Sequence, residues 1–314
     1  MSLALLFSPQ GSQAVGMGRA LADASAAARE TFAIADATLG WSVSGTCWEG
    51  PAERLNDTRQ TQPCLLTSSV AALRALQERG GVTPALAAGH SVGEYAALVA
   101  AGVLELPAAL RLVARRGELM AAADAAGGMA AVLGLDRAAV EEIVAATARP
   151  TELVVANDNA PGQVVISGAM AAIGAAEAAL KAAGARRVLR LPVSGAFHSP
   201  LMADVAEALA DAFGGETWHD AGFPVVSNVT AEPITDATRI RALLAEQVRS
   251  PVEWVRSVER MVADGVDRMV ECGPGGALVG MVKRIAPGIA AVAAGEPDGV
   301  AAAAELVAGA EASA

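Results

Sequence analysis

The chain has 314 residues, enough for one large domain with an insert, and 53% of them are hydrophobic, so most segments pack inward. Its net charge of −11 argues against a nucleic-acid partner, which needs a basic face. The three cysteines, Cys47, Cys64 and Cys272, are widely spaced with no C-x-x-C, which argues against a disulfide framework or zinc site and fits a cytoplasmic setting. Residues 1–7 are apolar but carry no basic leader and run into Ser8-Pro9-Gln10-Gly11. They read as a first strand over 3–7, not as a signal peptide, and no uncharged apolar run is long enough to span a bilayer. Residues 85–88 predict a second strand and 94–101 an alanine-rich helix, with Gly89-His90-Ser91-Val92-Gly93 between them. A helix follows over 108–123. On a wheel of 3.6 residues per turn, Ala109, Leu112, Val113, Leu119 and Met120 share one face, Arg111, Arg115 and Glu118 lie opposite, and Arg116 falls among the apolar residues.

The middle of the chain has its own order. Strands are predicted over 129–135, 153–156, 163–167 and 187–191, helices over 137–148 and 171–183, and a turn over 157–162. This is β-α-β-β-α-β, the ferredoxin-like arrangement. Gly127-Gly128 reads as the leading hinge and residues 192–195 as the trailing one. Further strands are predicted over 223–226, 268–271 and 289–293, with a helix over 277–285 and an alanine-rich surface helix or frayed tail from about residue 300. Strands alternating with helices imply a mostly parallel sheet flanked by helices, in which sites gather at the carboxyl ends of strands. Gln10, Ser91, Asn228 and Gly273 all follow such ends. The expected architecture is a large α/β domain of residues 1–127 and 196–314 with a small inserted domain of residues 128–195, and a cleft between them.

Gly89-His90-Ser91-Val92-Gly93 has the G-x-S-x-G form of a nucleophile elbow, whose glycines permit a turn too tight for a Cβ. A serine nucleophile needs a base, and the chain has three histidines. His90 is adjacent to Ser91, where side chains diverge, and reads as a packed, hydrogen-bonded histidine. His219 lies in a polar connection. His198 lies at the exit from the insert and is the favoured base. A hydrolase of this class would place an acid between serine and a late histidine, and none stands out between Ser91 and His198. A backbone carbonyl orients an imidazole equally well. Buried Arg116 carries two balanced readings, an internal salt bridge or a clamp for a substrate carboxylate. The turn Gly273-Pro274-Gly275-Gly276 lacks G-K-[ST], and Leu278 breaks G-x-G-x-x-G, so it reads as a tight turn lining the cleft and not as a phosphate loop.

Taken together, these residues resemble the malonyl-CoA:acyl carrier protein transacylases, relatives of the acyltransferase domains of polyketide synthases and animal fatty acid synthases. The resemblance runs nearly end to end. It rests on Gln10-Gly11-Ser12-Gln13, Gly89-His90-Ser91-Val92-Gly93-Glu94-Tyr95, Arg116-Gly117, Gly162-Gln163-Val164-Val165-Ile166-Ser167-Gly168, Ala196-Phe197-His198-Ser199, Ser227-Asn228-Val229, Gln247 with Ser250-Pro251-Val252, and Gly273-Pro274-Gly275. It implies a hydrolase-like α/β fold with a ferredoxin-like insert. It implies that Ser91 is acylated by malonyl-CoA with His198 as base, that the Gln247 backbone carbonyl orients His198, and that Arg116 binds the free malonyl carboxylate. Backbone N–H groups of Gln10 and Val92 would form the oxyanion hole, Phe197 would crowd an α-methyl branch, and Asn228 would complete the substrate-binding set. The reaction implied is ping-pong, with no metal or bound cofactor, and delivers malonyl to the phosphopantetheine thiol of acyl carrier protein in fatty acid biosynthesis. Arg186, Arg187 and Arg190, with Lys283 and Arg284, are the candidate docking residues for that acidic carrier. A free-standing acyltransferase of a polyketide synthase, a malonate decarboxylase subunit and, from another class, a serine thioesterase remain open. One departure from the family pattern is Ser8-Pro9, where relatives have Pro-Gly; proline fixes φ just before Gln10.

Overall fold

The computed structural model describes residues 2–123, 126–193 and 195–311; Met1, Ser194 of the trailing hinge and the last three residues of the expected tail lie outside the described residues. Ten strands are described: β1 Ser2–Phe7, β2 Leu86–Gly89, β3 Gly127–Leu133, β4 Leu153–Ala160, β5 Gln163–Ala169, β6 Arg187–Arg190, β7 Val225–Val226, β8 Pro233–Ile234, β9 Val266–Cys272 and β10 Ala290–Ala293. They form two sheets, ordered β10-β9-β1-β2-β7-β8 and β4-β5-β3-β6.

The first sheet is parallel except for β8, an antiparallel edge pair with β7. Its centre is β1, buried over residues 3–7, as a strand covered on both faces must be. Helices Thr58–Glu78 and Leu106–Ala122 pack together on one face and Trp254–Ala263 and Ala277–Ile285 on the other. Register then sets the site. Phe7 pairs with both Gly89 and Cys272, and Ala88 pairs with Val226. Four strands therefore end at one level, and the segments that leave them, at Ser8, His90, Ser227 and Gly273, emerge side by side.

The second sheet is wholly antiparallel and, with helices Arg137–Thr147 and Met170–Ala182, makes a βαββαβ small subdomain with its own core around Val132, Val140, Ile166 and Leu180. It is joined to the large sheet by Arg137, which donates to both Glu253 oxygens, by an isolated bridge between Asn157 and Val252, and by Arg284, which donates to Gln163 Oε1 at 2.6 Å.

Two local expectations are corrected. Gly127 and Gly128 are not a hinge; they are the first residues of β3, paired with Ala169 and Gly168. A Cβ on them would come 2.8 Å from Ala196 Cβ and 2.4 Å from Met170 Sδ, so these glycines serve close packing. The turn expected over 157–162 shrinks to Pro161-Gly162, because β4 continues through Asn157, Asp158 and Asn159 with register shifts. Their polarity reflects the cleft that Asn157 and Asn159 border and the Arg137 that Asp158 faces at 3.7 Å, and not a loop.

Candidate active site

The elbow follows from two contacts that only glycine allows. A Cβ on Gly89 would lie 2.0 Å from the Gly93 carbonyl carbon, and one on Gly93 would lie 2.2 Å from the Phe7 carbonyl oxygen. Strand β2 can thus turn within Gly89–Gly93 into helix Gly93–Ala100, holding Ser91 at φ +53°. Gly93→Ala is expected to lower Tm by at least ~5 °C, or to prevent accumulation of folded protein, since the clash is with backbone that cannot move aside; a thermal melt within 1–2 °C of the parent would refute this.

Asn228 staples the turn. Its Oδ1 accepts the Ser91 N–H at 2.6 Å and its Nδ2 donates to the Gly89 carbonyl at 2.6 Å. Expected against substrate, Asn228 is fully buried, and both ends of its amide are committed to the elbow backbone.

Ser91 Oγ lies 2.7 Å from His198 Nε2, and His198 Nδ1 lies 2.9 Å from the Gln247 backbone carbonyl. A carbonyl only accepts, so Nδ1 carries the imidazole proton and Nε2 accepts from the serine hydroxyl. His198 also has a left-handed backbone, φ +58°, and is anchored by its own N–H to the Val248 carbonyl at 2.8 Å. Burial, reinforced by the Arg116 charge, lowers its pKa to about 3, so it is a neutral acceptor at physiological pH. His90 turns away: its Nε2 pairs with Asn159 Oδ1 at 2.8 Å, its ring lies 5.5 Å from Trp254, and burial lowers its pKa to about 4. His219 is exposed, far along the chain at a backbone contact with Val103.

Arg116 is 1% exposed, and among the described residues it forms no ion pair, which removes the internal salt-bridge reading. It donates instead to neutral acceptors: Gln62 Oε1 at 2.7 Å, Gln247 Oε1 at 3.0 Å and Ser91 Oγ at 3.1 Å. Its guanidinium carbon lies 5.9 Å from the Tyr95 ring centroid, and its buried Nε has no partner. A guanidinium has five N–H donors, and among the described residues three are used, so a desolvated cation beside the nucleophile keeps two, Nε–H among them, for a further acceptor.

Gln10 lines the same cleft as Ser91, and Val92 is the next residue on the elbow. Among the described residues neither Gln10 nor Val92 donates its backbone N–H to a protein acceptor. Val92 stands at the start of a helix, whose dipole also favours negative charge there. The Gln10 loop is held from below: Ser8 Oγ donates to Glu271 Oε1 at 2.9 Å, and Glu271 Oε2 accepts the Val279 N–H at 2.9 Å. The turn over residues 273–276, expected along the cleft, packs instead behind this loop; a Cβ on Gly273 would come 2.6 Å from Ser8 Oγ. The cleft itself, about 160 Å³, is bordered by Ser91, His198, Gln10 and Phe197 from the large sheet and by Asn157 and Asn159 from the small subdomain.

Sequence reasoning missed Glu94 and Gln62. Both are buried, and both act across separations of 54 residues or more. Glu94 Oε2 accepts from the Gln247 side chain at 2.7 Å and from the Asn228 N–H at 3.2 Å, and burial pushes its pKa up to about 7.

The chain matches the Acyl transferase domain family over residues 4–293. It is 46% identical over 305 residues to the malonyl CoA-acyl carrier protein transacylase of Escherichia coli (strain K12), covering 96% of this chain and 99% of that one. The acyl-carrier-protein S-malonyltransferase of Burkholderia pseudomallei 1710b superposes with a TM-score of 0.95 at 40% identity, covering 97% and 100% of the two chains. A malonyl-transacylase solved in complex with its type II PKS acyl-carrier protein superposes with a TM-score of 0.94 at 41% identity, covering 98% and 100%. With this identity sustained along both chains, and a serine elbow hydrogen-bonded by a buried arginine, the protein belongs to the malonyl CoA-acyl carrier protein transacylase family.

Proposed function

We infer that this enzyme moves a malonyl group from malonyl-CoA to the phosphopantetheine thiol of an acyl carrier protein through a malonyl-Ser91 intermediate, serving fatty acid biosynthesis in the cytoplasm. The observation that carries the reading is Arg116, buried, without a carboxylate partner among the described residues and 3.1 Å from Ser91 Oγ. A malonyl thioester places a carboxylate two bonds from the carbonyl that Ser91 attacks, so one group meets the cation as the other meets the nucleophile.

In the first half-reaction Ser91 Oγ adds to the thioester carbonyl while its proton passes to His198 Nε2. The oxyanion is received by the Gln10 and Val92 N–H groups, where one aimed donor contributes about 3–4 kcal/mol. Collapse breaks the C–S bond, and the departing coenzyme A sulfur takes the proton from His198. In the second half the carrier thiol gives its proton to His198, its sulfur attacks the acyl-serine carbonyl, and Ser91 leaves with the proton. The Gln247 carbonyl holds the imidazole throughout, in the place of the missing acid. Phe197 lines the cleft, and there its ring disfavours an α-branched acyl group. Arg190 on edge strand β6 and Lys283 on helix Ala277–Ile285 are exposed, and we assign carrier docking to these cations with Arg284, which also braces the small subdomain.

The test is a chase. Protein loaded with malonyl-CoA is mixed with holo carrier protein, and malonyl-carrier and free malonate are followed together. Malonyl-carrier should form at least ~100-fold faster than malonate; malonate released at the same rate would make the protein a thioesterase. The depressed His198 pKa gives a second expectation. A free imidazole titrates near 6.5, whereas His198 stays neutral, and therefore basic, down to about pH 3. A bound carboxylate offsets the Arg116 contribution but leaves burial, the larger cause. Single-turnover acylation of Ser91 should hold level from about pH 8 down to about pH 5. A tenfold loss centred near pH 6.5 would show a solvated histidine.

A further inference from the structure

The Gln247 side chain has two ends and a choice of which faces Arg116. An amide nitrogen turned toward a guanidinium would set donor against donor. Gln247 instead presents Oε1 to Arg116 at 3.0 Å, while its Nε2 donates to the Ser91 carbonyl at 3.0 Å and to Glu94 Oε2 at 2.7 Å. The Glu94 contact is the shorter of the two and comes from a residue on the first turn of the elbow helix, 3% exposed. Glu94 does not line the cleft, and its Oε2 is engaged by Gln247 and Asn228, so the role of its side chain has to be read through the residues it holds.

We propose that Glu94 is a positioning residue that fixes the orientation of the Gln247 amide and thereby aims the Arg116 guanidinium at the acyl carboxylate. The proposal rests on the transferase reading above. What it requires of Glu94 is reach and an accepting oxygen. The orienting contacts do not require charge, since the partners of its Oε2 are an amide N–H and a backbone N–H; a Glu94 charge also acts on Arg116 through space, and that is the contribution a neutral variant removes. Burial that favours a neutral carboxyl near pH 7 is compatible with this. Without the Glu94 acceptor the amide keeps only the longer Nε2 contact to the Ser91 carbonyl, and one of the three partners of Arg116 is held less firmly.

Two substitutions separate reach from charge. Glu94→Asp keeps the acid but withdraws it by about 1.5 Å, the length of one carbon–carbon bond. Glu94→Gln keeps the reach and an accepting oxygen but removes the charge. Each is assayed by single-turnover acylation of Ser91 with malonyl-CoA and with acetyl-CoA, and by circular dichroism melting. Glu94→Asp should lower the malonyl-over-acetyl ratio of kcat/KM by about tenfold, mainly through malonyl KM, and Glu94→Gln should keep that ratio within about threefold. The proposal is overturned if Glu94→Gln loses discrimination as Glu94→Asp does, because charge would then be the requirement. It is overturned equally if Glu94→Asp slows both donors alike or leaves the ratio unmoved, because a merely structural role acts on both substrates. Should Glu94→Asp fail to fold, Glu94→Met fills the volume without an acceptor and carries the same expectation. Parent protein that never acquires a malonyl adduct refutes the transferase reading itself, whereas the Glu94 result is a ratio taken only in protein that loads.

Discussion

Ser91→Ala protein exposed to malonyl-CoA is expected to keep its unmodified mass, while the parent gains one malonyl group. Turnover should fall by about 10⁴–10⁶-fold, the range seen when a catalytic serine is removed from an oxyanion hole that remains intact. The fold should survive, because the elbow is held by backbone contacts of Ser91 and not by its hydroxyl: the N–H to Asn228 and the carbonyl to Gln247 remain in the variant. Intact-mass spectrometry decides the matter within one experiment. An adduct on the Ser91→Ala protein would move the nucleophile elsewhere and dismantle the mechanism at its first step.

Arg116→Ala is expected to invert substrate preference. Losing a buried, charge-assisted contact of two hydrogen bonds costs about 3–4 kcal/mol, a fall of about 10²–10³-fold in kcat/KM for malonyl-CoA. Acetyl-CoA meets the opposite change. In the parent it leaves a desolvated cation unanswered in the cleft; in the variant that penalty is gone, so acetyl loading should hold or rise. The same substitution removes the charge that helps depress His198, so the acid limb of the acylation profile should move up in pH. Paired single-turnover measurements with both donors check the first effect and a pH series the second. Equal losses for malonyl and acetyl groups would mean that Arg116 only supports the fold.

How much of this was legible in the sequence depends on the range over which each residue acts. The elbow was legible because its constraint is local: Gly89 and Gly93 clash with backbone a few residues away or across one strand pairing. β1 was legible because a strand covered on both faces reads as an uninterrupted apolar run. Arg116 was visible as a misfit on its own helix, but its partners were not, since Gln62 and Gln247 lie 54 and 131 residues away. Glu94 stood in the elbow motif without a role, because an acid in the first turn of a helix is commonplace until the tertiary fold buries it. The misread turn at Asn157-Asp158-Asn159 has the converse cause. Polar residues that border a cleft imitate the composition of a loop. β8 was missed because two residues carry no periodicity.

Ser91 and His198 share a property beyond their hydrogen bond: both sit at a φ that side chains other than glycine avoid, +53° and +58°. Such a backbone costs about 1–3 kcal/mol at each position. The fold therefore stops short of its own stability maximum, and it does so at the residues that react. Selection on melting temperature alone would favour glycine at position 91, where little side-chain volume is lost, and would return a sturdier protein with no nucleophile. Heat resistance in this enzyme has to be sought away from the elbow, for instance in the contacts that fasten the small subdomain to the large sheet.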